Sequence, residues 1–256
     1  MTHLQIATDG RVRILTIDDQ ARHNCLSRDV AVAFGDAINA FSRDGSVDVL
    51  VITGAGDKAF SSGMDLRGMH EVADHFWTYL AGPLGFARLD AGKPTIAAVN
   101  GYCFAGGMEL ASWCDFRIAS DTAEFGALNR RWGVPFTDGG TQQFIRIVGK
   151  GNALYLLETG VRIDAATALQ MGLVQEVVPA GEALSRAMEL AHHMCTYPQA
   201  SLRADRQATI RGEGLPLAEG LKLELDLTAP TAWDEDTASG LRRYDIGDRP
   251  PAPVGR

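Results

Sequence analysis

Cysteine is scarce in this chain of 256 residues, and its spacing carries no pattern. Cys25, Cys103, Cys114 and Cys195 form no C-x-x-C pair, which argues against a disulfide framework or a zinc knuckle and leaves buried free thiols as the expectation. The six histidines include no H-E-x-x-H, and the adjacent His192 and His193 would point to different faces of a helix, so no metal site is expected. No apolar run approaches the roughly 20 residues that a membrane span requires. The opening MTHLQIATDGRVR also lacks the charged-then-apolar layout of a signal peptide, so a cytoplasmic protein with no membrane partner is expected. Basic residues are in the minority, 24 Lys and Arg against 32 Asp and Glu, and the resulting net charge of −8 repels polyphosphate chains. Nucleic acid is therefore not an expected partner. A G-x-S-x-G elbow is missing, which makes a serine hydrolase improbable, and no G-x-x-x-x-G-K occurs. Gly54-Ala55-Gly56 follows an apolar run, but the third glycine of a dinucleotide fingerprint is absent at its spacing.

The chain does contain enough apolar residues, 46% of the total, to build a core without staples. A chain of this length hides roughly 70–75% of its unfolded surface. LQIATDGRVRILTI alternates apolar and polar residues about Asp9-Gly10 and predicts a β-hairpin. Val30, Phe34, Ala37, Ile38 and Phe41 recur at helical spacing within residues 28–41, and VDVLVITG then reads as a buried strand. A glycine-rich loop over 54–68 is long enough to be functional, and a helix is expected through His75-Phe76-Trp77. The stretch from Pro94 through TIAAVN predicts a second buried strand, Met108 to Trp113 a short helix, and DFRIAS a third strand. Beyond Thr141 the pattern turns helical: TQQFIRIVG, then GNALYLLETG closed by Gly160, then DAATALQMG capped by Asp164 and ended at Gly172. After the brief strand LVQEVV, amphipathic stretches at 181–195, 199–211, 215–228 and 235–244 predict a helical C-terminal region with a frayed tail. The expected division is a core over 1–197 and a helical module over 198–256.

Gly101-Tyr102-Cys103-Phe104-Ala105-Gly106-Gly107-Met108-Glu109-Leu110 is the most informative segment. Paired glycines at a strand-to-helix turn let main-chain N–H groups point outward unobstructed, and the helix N-terminus adds positive partial charge. Such a turn can serve as an oxyanion site; the bland alternative is a plain tight turn. A second glycine turn, Phe60-Ser61-Ser62-Gly63-Met64-Asp65, could aim another N–H at the same point, or merely reverse the chain. Two donors from separate loops are what a developing enolate oxygen requires.

These stretches resemble the signature of the crotonase (enoyl-CoA hydratase/isomerase) superfamily. VLVITGAGDKAFSSGMDL, KPTIAAVNGYCFAGGMELASWCDFRIAS, AEFGALNRRWGVP, DGGTQQFIRIVGKGNALYLLETG and DAATALQMGLVQEVVP match in order across roughly residues 12–178. The resemblance implies an α/β fold, a crotonase-like ββα spiral with an all-helical C-terminal region, assembled as a homotrimer or a dimer of trimers. It also implies an acyl-CoA thioester as substrate, with no cofactor beyond the coenzyme A that the substrate carries. The adenine end would lie near Ala59, Phe60 and Ser61, and the phosphates near Ala21, Arg22 and His23. The thioester oxygen would sit between the N–H groups of Met64 and Gly106. Trp132 and Phe136 are candidates for the acyl pocket, with a core role as the alternative.

Hydratases of this family trade protons through two glutamates, and the first matches Glu109. The second position is occupied by Asn129, and an amide cannot exchange protons near neutral pH. Asn129 could hold a water or a substrate oxygen. Asp138 aligns with the place where dienoyl-CoA isomerases of the family keep a catalytic aspartate, which makes Glu109 with Asp138 the working pair. Asp138 could instead cap the helix that starts near Gly140. Asp65 and Asp115 read as residues that hold main-chain amides. An enoyl-CoA hydratase is expected; an enoyl- or dienoyl-CoA isomerase and a non-catalytic acyl-CoA-binding homologue are the alternatives.

Overall fold

A computed structural model describes residues 3–67, 81–249 and 252–255; the helix expected through His75-Phe76-Trp77 lies outside them. Strands β1 (Leu4–Asp9) and β2 (Val12–Ile17) form the expected hairpin, with Gly10 taking the left-handed φ of 57° that the turn demands. Helix α1 (Arg28–Arg43) is capped by Ser27, whose hydroxyl accepts the Val30 N–H, and it buries Phe34, Ile38 and Phe41 along one face. From there the chain spirals. Strands β3 (Val49–Gly54), β5 (Thr95–Val99) and β7 (Phe116–Ser120) each run into one sheet, and the shorter β4 (Ala59–Ser61), β6 (Tyr102–Phe104) and β8 (Glu124–Gly126) run into another. Each turn of the spiral thus supplies one strand to each sheet.

The larger sheet has the order β1-β2-β3-β5-β7-β10, parallel from β2 onward, with β10 at Glu176–Val178. The smaller sheet runs β4-β6-β8-β9, with β9 (Arg162–Asp164) antiparallel to β8. Alternation along β3 explains why both its faces are apolar. Leu50 and Ile52 join the main core with Phe34 and Phe60, whereas Val49 and Val51 face the alanines of helix α5 (Ala183–Met194). The four strands of the smaller sheet escaped the sequence reading because three residues leave no room for a period of two to show.

Helix α2 (Gly106–Trp113) starts two residues earlier than its apolar pattern suggested. The stretches TQQFIRIVG and GNALYLLETG join as α3 (Gly140–Thr159), bent at Gly149, where φ 75° and ψ 162° break the helical path. Helix α4 (Ala165–Gln170) is capped by Asp164 as expected. Helices α6 (Gln199–Gly212), α7 (Leu217–Thr228) and α8 (Glu235–Asp245) complete the all-helical C-terminal region. Arg203 and Arg206 of α6 reach back to Asp48 and Asp115. Among the described residues, no helix is long and apolar enough to cross a membrane.

Candidate active site

Strands β4 and β6 lie side by side in parallel, so the two glycine turns that follow them emerge together. A β-carbon placed on Gly63 would come within 2.6 Å of the Gly106 nitrogen, and one on Gly106 would meet the Met64 nitrogen at 3.3 Å. Side chains at either position would fill the space that the two amides share. Neither the Met64 N–H nor the Gly106 N–H has a main-chain acceptor among the described residues, although their neighbours do: Leu26 donates to the Gly63 carbonyl at 2.8 Å and Asp65 to the Leu26 carbonyl at 3.1 Å. Ala105, immediately before Gly106, is held at φ 49° and ψ −119°, a conformation that L-residues rarely adopt. Its N–H donates to the Gly126 carbonyl at 3.0 Å, which fixes the turn from the next strand. Backbone strain of this kind typically costs about 1–3 kcal/mol and persists where the surrounding structure over-determines it.

Met64 and Gly106 both line a cavity of about 90 Å³, whose walls also include Leu84, Ala105, Leu128 and Trp132, with Ser62, Glu109, Asn129 and Thr137 as polar residues. Glu109 sits in the first turn of α2 and is 3% exposed. Its Oε1 accepts two main-chain N–H groups, from Asp138 at 2.8 Å and Gly140 at 3.0 Å. Burial nevertheless pushes its carboxyl up to about 8, helped by the charge of Asp138 and opposed by those N–H donors. A carboxyl poised near neutrality beside an oxyanion site suits proton transfer.

Asp138 is 2% exposed and is absent from the residues described as lining the cavity. Its Oδ1 accepts the Leu84 N–H at 2.8 Å and its Oδ2 accepts the Thr137 hydroxyl at 3.0 Å. Burial raises its carboxyl to about 6, while the Leu84 N–H, the Thr137 hydroxyl and the Arg88 charge pull the other way. The N-cap of α3 is Gly139, with no side-chain cap, so Asp138 ties down the turn at residues 82–85 rather than the helix. Asn129 donates through Nδ2 to the Val134 carbonyl at 2.8 Å, leaving a buried Oδ1 with no partner among the described residues. Its Oδ1 is an acceptor in want of a donor.

Trp132 stands at the mouth of the cavity, 71% exposed, and Phe136 packs edge-on against Phe144 at 5.5 Å between ring centroids, away from the lining. In the segment expected near the coenzyme phosphates, Ala21 and Arg22 belong to a 3₁₀ turn, and Arg22 is paired with Asp19 and with Asp65 at 2.6 Å. His23 and Asn24 follow with φ of 54° and 55°, the His23 ring edge-on to Tyr102. Ala59, Phe60 and Ser61 form β4, buried, with the Ala59 carbonyl accepting from Asn24 Nδ2 at 2.6 Å. Asp65 and Asp115 hold the amides of Arg67 and Thr95, as expected. Sequence reasoning missed Thr137 and Leu84; Leu84 lies in the turn between Gly82 and Gly85, whose glycines were not singled out, and adjacency to Asp138 was the one signal for Thr137.

A spiral of two sheets whose neighbouring glycine turns bring Met64 and Gly106 to a cavity that Glu109 lines has the arrangement expected of an oxyanion site. The chain belongs to the enoyl-CoA hydratase/isomerase family, whose profile matches residues 8–249. It is 36% identical over 243 residues to a probable enoyl-CoA hydratase of Rhizobium meliloti, covering 94% of each chain. A crotonyl-CoA hydratase of Syntrophomonas wolfei is 34% identical, with 92% of each covered. The crystal structure of an enoyl-CoA hydratase from Bacillus anthracis superposes with a TM-score of 0.90 at 27% identity, covering 98% of both chains. The crotonase resemblance and the ββα spiral expected from sequence are thereby established.

Proposed function

We propose that the protein is an enoyl-CoA hydratase, adding water across the conjugated double bond of a 2-enoyl-CoA. The observation that carries this reading is that Met64 and Gly106, whose N–H groups have no main-chain acceptor among the described residues, line the same cavity as Glu109. With the thioester oxygen between those N–H groups, attack of water at the third carbon builds an enolate whose charge they stabilise; each donor in such a hole is typically worth about 3 kcal/mol. Glu109 and Asp138 share the acid and base roles, and the unpartnered Asn129 Oδ1 accepts one hydrogen of the attacking water. Coenzyme A arrives and leaves with the substrate, so the reaction draws on no further cofactor. Its phosphates pass Ala21, Arg22 and His23, where Arg22 shares its charge with Asp19 and Asp65, and its adenine reaches Ala59, Phe60 and Ser61. The relatives named as hydratases favour this chemistry over double-bond isomerisation.

The assembly is a homotrimer or a dimer of trimers, in the cytoplasm. Leu217, Leu221 and Leu225 recur every four residues along α7 and are all exposed, as is Trp233 beyond it, a stripe that a second copy would cover.

The test is direct. Crotonyl-CoA is supplied to the purified protein, and loss of the conjugated thioester absorbance is followed alongside mass-spectrometric gain of one water. Turnover to the 3-hydroxyacyl thioester is expected; no hydration across a series of enoyl chain lengths would overturn the reading.

A further inference from the structure

Asp138 presents a difficulty for any mechanism that has it take a proton directly from the cavity, because it is not among the described residues that line it. Its two oxygens are engaged elsewhere, Oδ1 by the Leu84 N–H and Oδ2 by the Thr137 hydroxyl. Thr137, by contrast, lines the cavity together with Glu109 and Asn129. A hydroxyl that donates its one hydrogen to a carboxylate can only accept with the rest of its oxygen. Thr137 therefore offers the cavity an acceptor whose basicity is set by the charge behind it.

Building on the hydratase reading, we propose that Thr137 is a catalytic residue, a hydroxyl relay that carries a proton from the attacking water to Asp138. The step balances. As the water oxygen bonds to the third carbon of the enoyl group, one of its O–H bonds breaks and that hydrogen passes to Thr137 Oγ1. The hydrogen already on Oγ1 passes to Asp138 Oδ2, so the threonine ends as it began. The electron pair of the double bond moves onto the thioester oxygen, held by Met64 and Gly106. Glu109 then gives its proton to the second carbon, and the carbonyl reforms. Solvent returns a proton to Glu109 and removes one from Asp138.

Three features fit this division. Glu109 Oε1 is occupied by two N–H donors, so its proton rides on Oε2. Glu109 titrates near 8 and Asp138 near 6, which makes the former the acid and the latter the base at neutral pH. Asn129 and Thr137 both line the cavity and Asn129 Oδ1 lacks a donor among the described residues, so the two side chains can offer acceptors to the two hydrogens of one water and leave its lone pair free for the carbon. Asp138 acts through Thr137 and is a positioning residue in this scheme.

The experiment compares wild type, Thr137→Val and Thr137→Ser in hydration of crotonyl-CoA, with folding checked by circular dichroism. Thr137→Val is expected to lower kcat by about 10²-fold or more with KM nearly unchanged, and Thr137→Ser to restore most of the loss. A proton inventory on the wild type in mixed light and heavy water should be bowed, because two protons move with the water. Thr137→Val turning over at the wild-type rate, Thr137→Ser as slow as Thr137→Val, or a linear inventory would each overturn the relay. Should Thr137→Val fail to fold, Thr137→Ser and the wild-type inventory decide. A wild type that hydrates nothing overturns the hydratase reading itself, and is distinguished from an active wild type indifferent to Thr137.

Discussion

Glu109 and Asp138 are joined through the side chain of one and the main chain of the other: Glu109 Oε1 accepts the Asp138 N–H at 2.8 Å. This contact holds the two carboxyl groups in one buried neighbourhood without letting them share a hydrogen directly. The charge of Asp138 adds to burial in raising the Glu109 carboxyl.

That coupling predicts a bell-shaped pH profile for kcat/KM. Activity should rise as the group near 6 loses its proton and the base forms. It should fall as the group near 8 loses its own and the acid disappears. Initial rates with an enoyl-CoA across pH 5–9 check this, and Glu109→Gln should abolish most activity, by about 10²–10⁴-fold. An unchanged rate in Glu109→Gln would remove Glu109 from the chemistry.

The same carboxyl groups make stability depend on pH, with a definite sign. Both fold into environments that raise them above their ordinary values of 4.5 and 3.8, so the folded chain holds more protons than the unfolded one between about 4 and 8. Their contribution is complete at the acid end of that window and lost as pH climbs through it. Urea titrations at pH 5 and pH 8 should therefore show a smaller unfolding free energy at pH 8 from this pair, and Glu109→Gln should reduce the difference.

Asp138 has a structural duty that can be separated from its chemical one. Asp138→Asn retains an oxygen for the Leu84 N–H and should fold with nearly wild-type stability while losing most of its turnover. Asp138→Ala orphans that buried N–H and should cost about 1–3 kcal/mol in addition. Thermal melts and hydration rates of the two variants distinguish these effects.

The oxyanion assignment is tested at a residue with no reactive group. Gly63 has a φ of 89°, and a methyl there would press on the Gly106 nitrogen. Gly63→Ala should lower kcat by about 10²-fold or more, the scale of losing one donor. Near-normal kcat in a folded Gly63→Ala protein would contradict the role of the two amides.

Association is tested on α7. Replacing Leu221 and Leu225 by glutamate should shift the protein from trimer or larger to monomer in light scattering, while the circular dichroism spectrum stays unchanged. A wild-type monomer would overturn the assembly.

Much of this was legible in the sequence, for identifiable reasons. The Asp9-Gly10 hairpin, the apolar face of α1 and the Asp164 cap of α4 are local features, and each formed where its pattern stood. The convergence of the turns at Met64 and Gly106 on one cavity was legible too, because glycine motifs mark where main chain must approach something closely. The engagement of Asp138 with Leu84 was not, since a hydrogen bond between residues 54 positions apart leaves no trace in either neighbourhood. Nor was Thr137, whose importance comes from which carboxylate stands behind it. The short strands β4, β6 and β8 owe their conformation to partners in the sheet rather than to their own three residues.

Met64 follows β4 and Gly106 follows β6, and the two strands are neighbours, with Ala59 opposite Tyr102 and Ser61 opposite Cys103. The spacing of the two turns is thus a property of adjacent rungs in a ladder. A lineage that keeps those two rungs in register keeps its two turns together.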